Sequence, residues 1–415
     1  MNLLVVVVDR LHAGFLGCYG NAWVSTPYCN RLAAESFLCD QAFVDQPELL
    51  SLCDSWWTGT HRLGRTSDRE WPTLGERLRQ AGFVTTCLTD EPLVAARAGA
   101  AFDEVIRVGT AAGEPTPREM AETIEETQLA RVFAAAAEFV EGAREPFCLW
   151  LHASGMQAAW DAPYSLRDQY AEEDEPPPPD FVEPPKRYLT ESDDPDSLWG
   201  VCQAYAGQVT LLDDCLGVLL ASLEGENLLD DTLLMVVGAR GFPLGRNGRL
   251  GDVDGALFGE LVQTPWLMRF PDGFGAAARS QALVQPGDLA PTLVDALGLV
   301  VPENLFSRSL MPLVRDEEAW PRQAIALVGA NGERALRTPA WYLRMPGSKS
   351  AGEEPAAELY GKPDDRWEVN DVATRCSDMA AAMQAAHAAL AERLKSHETG
   401  DLPPLDDALV NELRY

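Results

Sequence analysis

Apolar positions along this chain follow two rhythms. Leu3-Leu4-Val5-Val6-Val7-Val8 is short, continuous and β-branched. That is the pattern of a strand covered on both faces, and so of a parallel sheet lying between helices. Phe83 to Leu88, Phe147 to Leu151, Thr232 to Val237 and Trp266 to Phe270 repeat it. Helical stretches with marked ends lie between them. Thr26 as N-cap and Pro27 at the first helical position open a helix to about Ser36. Thr73-Leu74-Gly75-Glu76 has capping-box spacing, and Gly82 closes that helix. Further helices are predicted from Pro117 to Glu141 before Gly142, from Leu198 to Leu220, and from Pro291 to Leu297 before Gly298. This alternation predicts an α/β fold with an open, mostly parallel sheet flanked by helices.

The rhythm changes near Trp320. Short strands at Ala324 to Val328, Ala335 to Arg337 and Trp341 to Arg344 precede a helix from Val372 to Lys395. They predict a small C-terminal α+β subdomain, dividing the chain into 1–318 and 319–415. Within the first part, the segment 172–196 holds the run Pro176 to Pro179 and many acids, and it reads as a long surface loop. Trp56-Trp57 reads as helix packing.

Composition narrows the function classes. There are 64 acidic and 33 basic residues, for a formal net charge of −31. Such a surface repels nucleic acid and anionic membranes. The nine cysteines are scattered, with no CxxC pair, which favours buried thiols over a disulfide framework or a zinc site. The first apolar run has no basic flank and no cleavage pattern, and no later stretch approaches the ~20 apolar residues that span a bilayer. The expected location is the cytoplasm, with no membrane or nucleic-acid partner; a protein partner is not specified.

In an open parallel sheet, sites form at the carboxyl ends of the strands. Asp9-Arg10, Thr89-Asp90, His152 to Gln157 and Ala239-Arg240 lie there. These positions select where chemistry is to be sought.

Particular motifs then accumulate in order. Val7-Val8-Asp9-Arg10-Leu11, Gly17-Cys18-Tyr19-Gly20-Asn21, Thr26-Pro27, Arg31-Leu32-Ala33-Ala34-Glu35, Ala42-Phe43-Val44 with Pro47, and Thr58-Gly59 come first. Tyr205-Ala206-Gly207-Gln208-Val209, Thr264-Pro265-Trp266-Leu267-Met268-Arg269-Phe270-Pro271 and Asp288-Leu289-Ala290-Pro291-Thr292-Leu293 follow. Arg308-Ser309-Leu310, Arg334 to Thr338 and Glu358-Leu359-Tyr360 continue the series. In this order the chain resembles the sulfatases of the alkaline-phosphatase-like superfamily.

The resemblance implies hydrolysis of sulfate esters. Family members hold calcium on three Asp and an Asn, and use a Cys or Ser converted to formylglycine as nucleophile. Lys, His and Arg side chains hold the sulfate. Cation and side chains neutralise charge on the transferring group, and an activated hydroxyl attacks it.

Carried over position by position, most of that equipment is missing. Asp9 matches the first metal Asp, and Arg10 replaces its neighbour. The modifiable residue falls at Leu49, and the maturation signature places Ser51 and Cys53 where Pro and Arg belong. Asp90 and Pro92 stand at the family's Lys and His positions. The sulfate-contacting His falls near Ser154 or Gln157, the last metal ligands become Ala239 and Arg240, and the final Lys falls near Asp254. The chain has four lysines, none before Lys186, so no small shift of register restores the first catalytic Lys.

Charge decides the expectation for the metal. A dication at ~4–6 Å from two guanidinium groups is repelled by several kcal/mol even at an effective dielectric of ~20. Calcium also seeks 6–8 oxygen ligands. No cofactor is therefore expected, and calcium is expected to be absent. Three readings stay open. Arg10 or Arg240 pairs with Asp9 and fills the void. The guanidinium groups, with Ser51, His152, Ser154 and Gln157 nearby, form a pocket for a small anion or a sulfate or phosphate ester. Or the chain is a rewired hydrolase, with Ser51, Cys53 or Ser55 as nucleophile and His12, His61 or His152 as base. The first two describe a pseudo-sulfatase; the third is an active ester hydrolase using other residues.

Overall fold

The computed structural model describes residues 1–65, 72–109, 119–144, 146–301, 307–316, 322–348, 355–396 and 404–411. The elements run β1 (Asn2–Val8), α1 (Pro27–Ala34), β2 (Phe37–Ala42), α2 (Leu49–Thr58), α3 (Leu74–Gln80), β3 (Val84–Thr89), α4 (Pro92–Ala98) and β4 (Glu104–Arg107). Next come α5 (Gln128–Gly142), β5 (Phe147–Ala153), α6 (Tyr164–Asp168), β6 (Arg187–Tyr188), α7 (Pro195–Gly225), β7 (Thr232–Gly238), β8 (Arg249–Leu250) and α8 (Gly259–Val262). The rest are β9 (Trp266–Arg269), β10 (Arg279–Val284), α9 (Leu289–Ala296), α10 (Met311–Val314), β11 (Ile325–Val328), β12 (Arg334–Arg337), β13 (Trp341–Met345), β14 (Glu358–Gly361), α11 (Ser377–Ser396) and α12 (Asp407–Val410).

Two compact units result. The first comprises Met1–Asp40, Gly75–Gly251 and Thr264–Ser280; the second comprises Gln41–Leu74, Asp252–Gln263 and Gln281–Tyr415. The division expected at 318/319 falls within 317–321, outside the described residues.

In the first unit, β7, β1, β5, β3 and β4 form a parallel run, with β9 antiparallel to β7 and β2 antiparallel to β9. β10 lies beyond β2 in the strand order. The run of six apolar residues explains the centre: every residue of β1 is buried, as a strand covered on both faces requires. Since β1 has β7 on one side and β5 on the other, the loops leaving these three strands gather at one end. α1, α5 and α6 pack on α7, whose Ala204, Tyr205, Val209, Leu212 and Leu216 enter the core shared with Val6 and Val8.

By length and composition α7 is apolar enough to cross a membrane, which corrects the expectation that no stretch comes near. Its most apolar stretch is 78% buried inside the fold, as for the core helix of a soluble protein. The second unit holds an antiparallel sheet, β11-β12-β13-β14, whose Leu336, Leu343 and Leu359 share a core with Met383, Leu390 and Leu394 of α11.

Several local expectations change. β2, β4, β10 and β14 were not foreseen; they are short or mix polar with apolar positions, so periodicity is weak in them. The helix expected from Pro117 begins at Gln128, because the Thr127 hydroxyl accepts from Ala130 N and Asp161 accepts from Gln128 N. Pro117 itself lies outside the described residues. The helix expected from Val372 begins at Ser377, since the Val372 N–H is bonded to Leu359 O. Thr26 makes no side-chain cap; its hydroxyl accepts from Gly17 N instead. The acidic loop ends earlier than Asp196, since Asp194 caps α7 at Pro195, and its Arg187–Tyr188 pairs with β8. Trp56 and Trp57 are buried on α2, as helix packing demands.

Candidate functional site

The first unit gathers most of the singled-out residues at the carboxyl ends of β1, β3, β5 and β7. The ladder continues one residue past β1, with Asp9 N donating to Ala153 O (3.0 Å) and Ala239 N to Val8 O (2.9 Å). Asp9 is thus placed by rigid strands and is 1% exposed. Its Oδ1 accepts from Arg240 Nε (2.9 Å) and from Arg10 N (2.9 Å), and its Oδ2 accepts from Arg240 Nη2. This is the two-pronged guanidinium–carboxylate geometry. Burial favours the neutral carboxyl. Even so, the charge and hydrogen bond of Arg240, with smaller effects from Arg10 and His152, hold Asp9 below the usual carboxylate range.

Arg10 behaves differently from Arg240. Its backbone is left-handed (φ 61°), and its Nε donates to Gln157 Oε1 at 2.9 Å. Its carbonyl accepts from the Tyr205 hydroxyl (2.6 Å), which also receives His12 N (2.8 Å). A core tyrosine of α7 therefore clamps the loop after β1. A left-handed non-glycine residue costs on the order of 1–3 kcal/mol and persists only where surroundings hold it. The clamp and the Gln157 bond are such a hold.

The loop after β5 is pressed against the end of β1. Met156 N donates to Asp9 O (3.1 Å), and Gly155 has φ +55°. A Cβ on Gly155 would lie 2.5 Å from Asp9 O and 2.7 Å from Val8 Cγ1, so glycine is required there. His152, in register with Val7 of β1 and Thr89 of β3, is fully buried. Burial, with Arg240 adding and Asp9 opposing, pushes its imidazole down to about 4, so it is neutral at physiological pH.

Asp90 follows β3. Its Oδ1 accepts from Ser154 N (2.7 Å) and its Oδ2 from Gln128 Nε2 (2.6 Å). Burial raises its pKa, opposed by those donors. Pro92 is the first residue of α4, and Glu91 caps that helix by accepting from Leu93 N. Ala239 is buried, and its methyl side chain offers no ligand atom.

The remaining singled-out residues lie in the second unit. Leu49 begins α2 and is buried, with Glu48 capping the helix through Leu50 N and Ser51 N. Ser51 Oγ donates to Gln46 Oε1 (2.9 Å) and accepts from Arg65 Nη2 (2.9 Å). Ser55 Oγ donates to the buried Asp45 (2.7 Å), and Cys53 is buried on the same helix. Both ring nitrogens of His61 are engaged, with Ala326 O and Leu63 N. Asp254 accepts from Ala256 N in a turn. Sequence reasoning passed over Arg65, Asp45, Gln128 and the clamping role of Tyr205. No periodicity marks a polar residue whose partners are distant in sequence.

Among the described residues, no group of three or more His, Cys, Asp and Glu side chains is placed to hold a metal ion.

The sheet order, with polar and charged side chains at one end of a parallel run, defines an open α/β fold with its candidate site at the carboxyl ends of the strands. Solved structures agree on the fold. A protein in complex with its substrate D-glucosamine-2-N,6-O-disulfate has a TM-score of 0.77 at 17% identity, covering 96% of this chain and 98% of that one. The phosphonate monoester hydrolase of Agrobacterium radiobacter has a TM-score of 0.72 at 17% identity, covering 95% and 94%. Residues 1–299 match the Sulfatase family, so the chain belongs to the sulfatases. An N-acetylglucosamine-6-O-sulfatase of Bacteroides thetaiotaomicron is 31% identical over 117 residues, which are 28% of this chain and 21% of that protein. An ulvan-active sulfatase of Formosa agariphila is 28% identical over 107 residues, which are 26% of this chain and 17% of that protein. These matched stretches span a minor part of each curated relative.

Proposed function

We propose that this chain is a sulfatase-family protein that does not hydrolyse sulfate or phosphate esters. The observation that carries this reading is Leu49. A hydrocarbon side chain, buried at the head of α2, fills the position that the family resemblance assigns to the nucleophile. It cannot be oxidised to an aldehyde, and a hydrated aldehyde is the attacking group that the family uses. The nearby hydroxyls do not replace it: Ser51 is tied to Gln46 and Arg65, and Ser55 to Asp45. Neither hydrogen bond from Ser51 or Ser55 leads to a histidine base.

The residues at the family's metal positions do not fit calcium. Arg10, Ala239 and Arg240 supply no oxygen side chain, and Asp9 is committed to Arg240. The ligand class supported by the sulfatase relation is a small sulfate or phosphate ester, bound without turnover through guanidinium groups. The solved relative carrying a disulfated glucosamine supports that class.

Purified full-length chain, assayed with aryl sulfate, aryl phosphate and aryl phosphonate monoesters, is expected to give no turnover above buffer. Turnover that is lost in Ser51→Ala would overturn the reading and establish a hydrolase with unfamiliar residues. Titration with glucosamine 6-sulfate reads binding separately.

A further inference from the structure

Asp9 keeps the one carboxylate of the ancestral metal cluster, yet it is almost wholly buried. A buried carboxylate without a positive partner is costly, so the loss of a metal leaves a charge to be neutralised. Arg240 sits where a metal ligand stood and reaches both oxygens of Asp9, from Nε and Nη2. Its side chain is 11% exposed and that of Asp9 1%, so the pair is shielded from water. Arg10 directs its Nε to Gln157 instead.

We infer that Arg240 is the tethered counter-cation of Asp9: its guanidinium does permanently what a bound dication does in a metal-dependent relative, and the end of β1 is thereby independent of metal. One residue has changed from ligand to cation. That explains why the ligand cluster is lost jointly: once Arg240 occupies Asp9, further carboxylates at Arg10 or Ala239 would have no dication to bind. The fork also orders the loop after β7 against β1 without any exchangeable ion. This inference rests on the family relation that also underlies the proposed function, but not on the absence of turnover.

The test uses the full chain after dialysis, with metal content by mass spectrometry and thermal unfolding with EDTA, without additive and with calcium chloride. Substoichiometric calcium and magnesium and one Tm in all three buffers are expected. Stoichiometric metal, or a Tm that falls in EDTA, overturns the inference. Arg240→Met is then expected to lower Tm by roughly 5 °C. Asp9→Asn in that background is expected to return most of the loss, because it removes the stranded charge. A double variant no more stable than Arg240→Met means that Arg240 serves by packing alone, and overturns the inference. Should Arg240→Met not fold, recovery of a folded double variant supports the inference, and a double variant that also fails overturns it. Ester turnover by a metal-free protein would overturn the proposed function alone; bound metal without turnover would overturn this inference alone.

Discussion

The end of β1 and the end of β3 each carry a carboxylate in the same unit, and each accepts hydrogen bonds at both oxygens. Burial favours the neutral form of both. Asp9, which faces a guanidinium, is nonetheless held below its ordinary pKa, whereas Asp90, which faces a backbone amide and the Gln128 side chain, stays above. Neutral donors offset part of the desolvation; a fixed positive charge reverses it. At ~3 Å and an effective dielectric of ~20, the gross attraction in such a pair is about 5 kcal/mol. Desolvating two ions costs several kcal/mol each, so the intact pair adds little net stability, yet breaking it is expensive. Asp9 is therefore a charge lock, and Asp90 a brace joining the loops after β3 and β5 to α5.

The largest expected effect follows directly. Asp9→Asn strands the Arg240 charge and should cost about 3–5 kcal/mol in urea denaturation at pH 7. A loss below 1 kcal/mol would mean that the two carboxylates are alike and the contrast is empty.

Acid should act next. His152 binds its proton near 6.5 when unfolded and at about 4 when folded, so the unfolded chain is protonated first. Its stabilising contribution is full above about pH 6.5 and is lost as pH falls toward 4, by up to about 3 kcal/mol. His387 on α11 is also pushed down to about 4 and acts in the same window. Denaturation curves between pH 7 and 4.5 should therefore show falling stability. His152→Gln and His387→Gln should each flatten that slope, and an unchanged slope in both would refute the assignment.

Gly155→Ala should cost roughly 2–3 kcal/mol, since its backbone is left-handed and its new methyl meets Asp9 O. A neutral outcome would show that the loop after β5 does not position Asp9. The smallest effect belongs to Asp90→Asn. Its amide still accepts from Ser154 N, and Gln128 can turn its own carbonyl toward it, so stability should change by no more than about 1 kcal/mol. A large loss would make Asp90 a charge partner rather than a brace.

Much of the fold was legible in the residues. Leu3 to Val8, Thr232 to Val237 and the other continuous apolar runs are the strands of the sheet, and Gly142 and Gly298 stand at helix ends. The order of sulfatase motifs was legible too, and so was the hydrocarbon at position 49. The site was legible only as a set of addresses. The sequence places Arg10 and Arg240 equally near Asp9 in principle, but the left-handed turn at Arg10 and the Tyr205 clamp lead its Nε to Gln157. The direction of a side chain at a turn depends on backbone dihedrals, which local composition specifies weakly. Asp90 likewise carried no mark of its partners, which come from β5's loop and from α5.

Sequence by itself determined which segments are buried, that the scaffold is a sulfatase's, and that position 49 carries a hydrocarbon side chain. These are properties of residue type and local rhythm, readable without neighbours. Tertiary structure alone decided which arginine neutralises Asp9, that His152 is neutral, and that glycine is obligatory at 155. Asp9 and Arg240 are 231 residues apart, and only the parallel pairing of β1 with β7 brings a cation to that carboxylate.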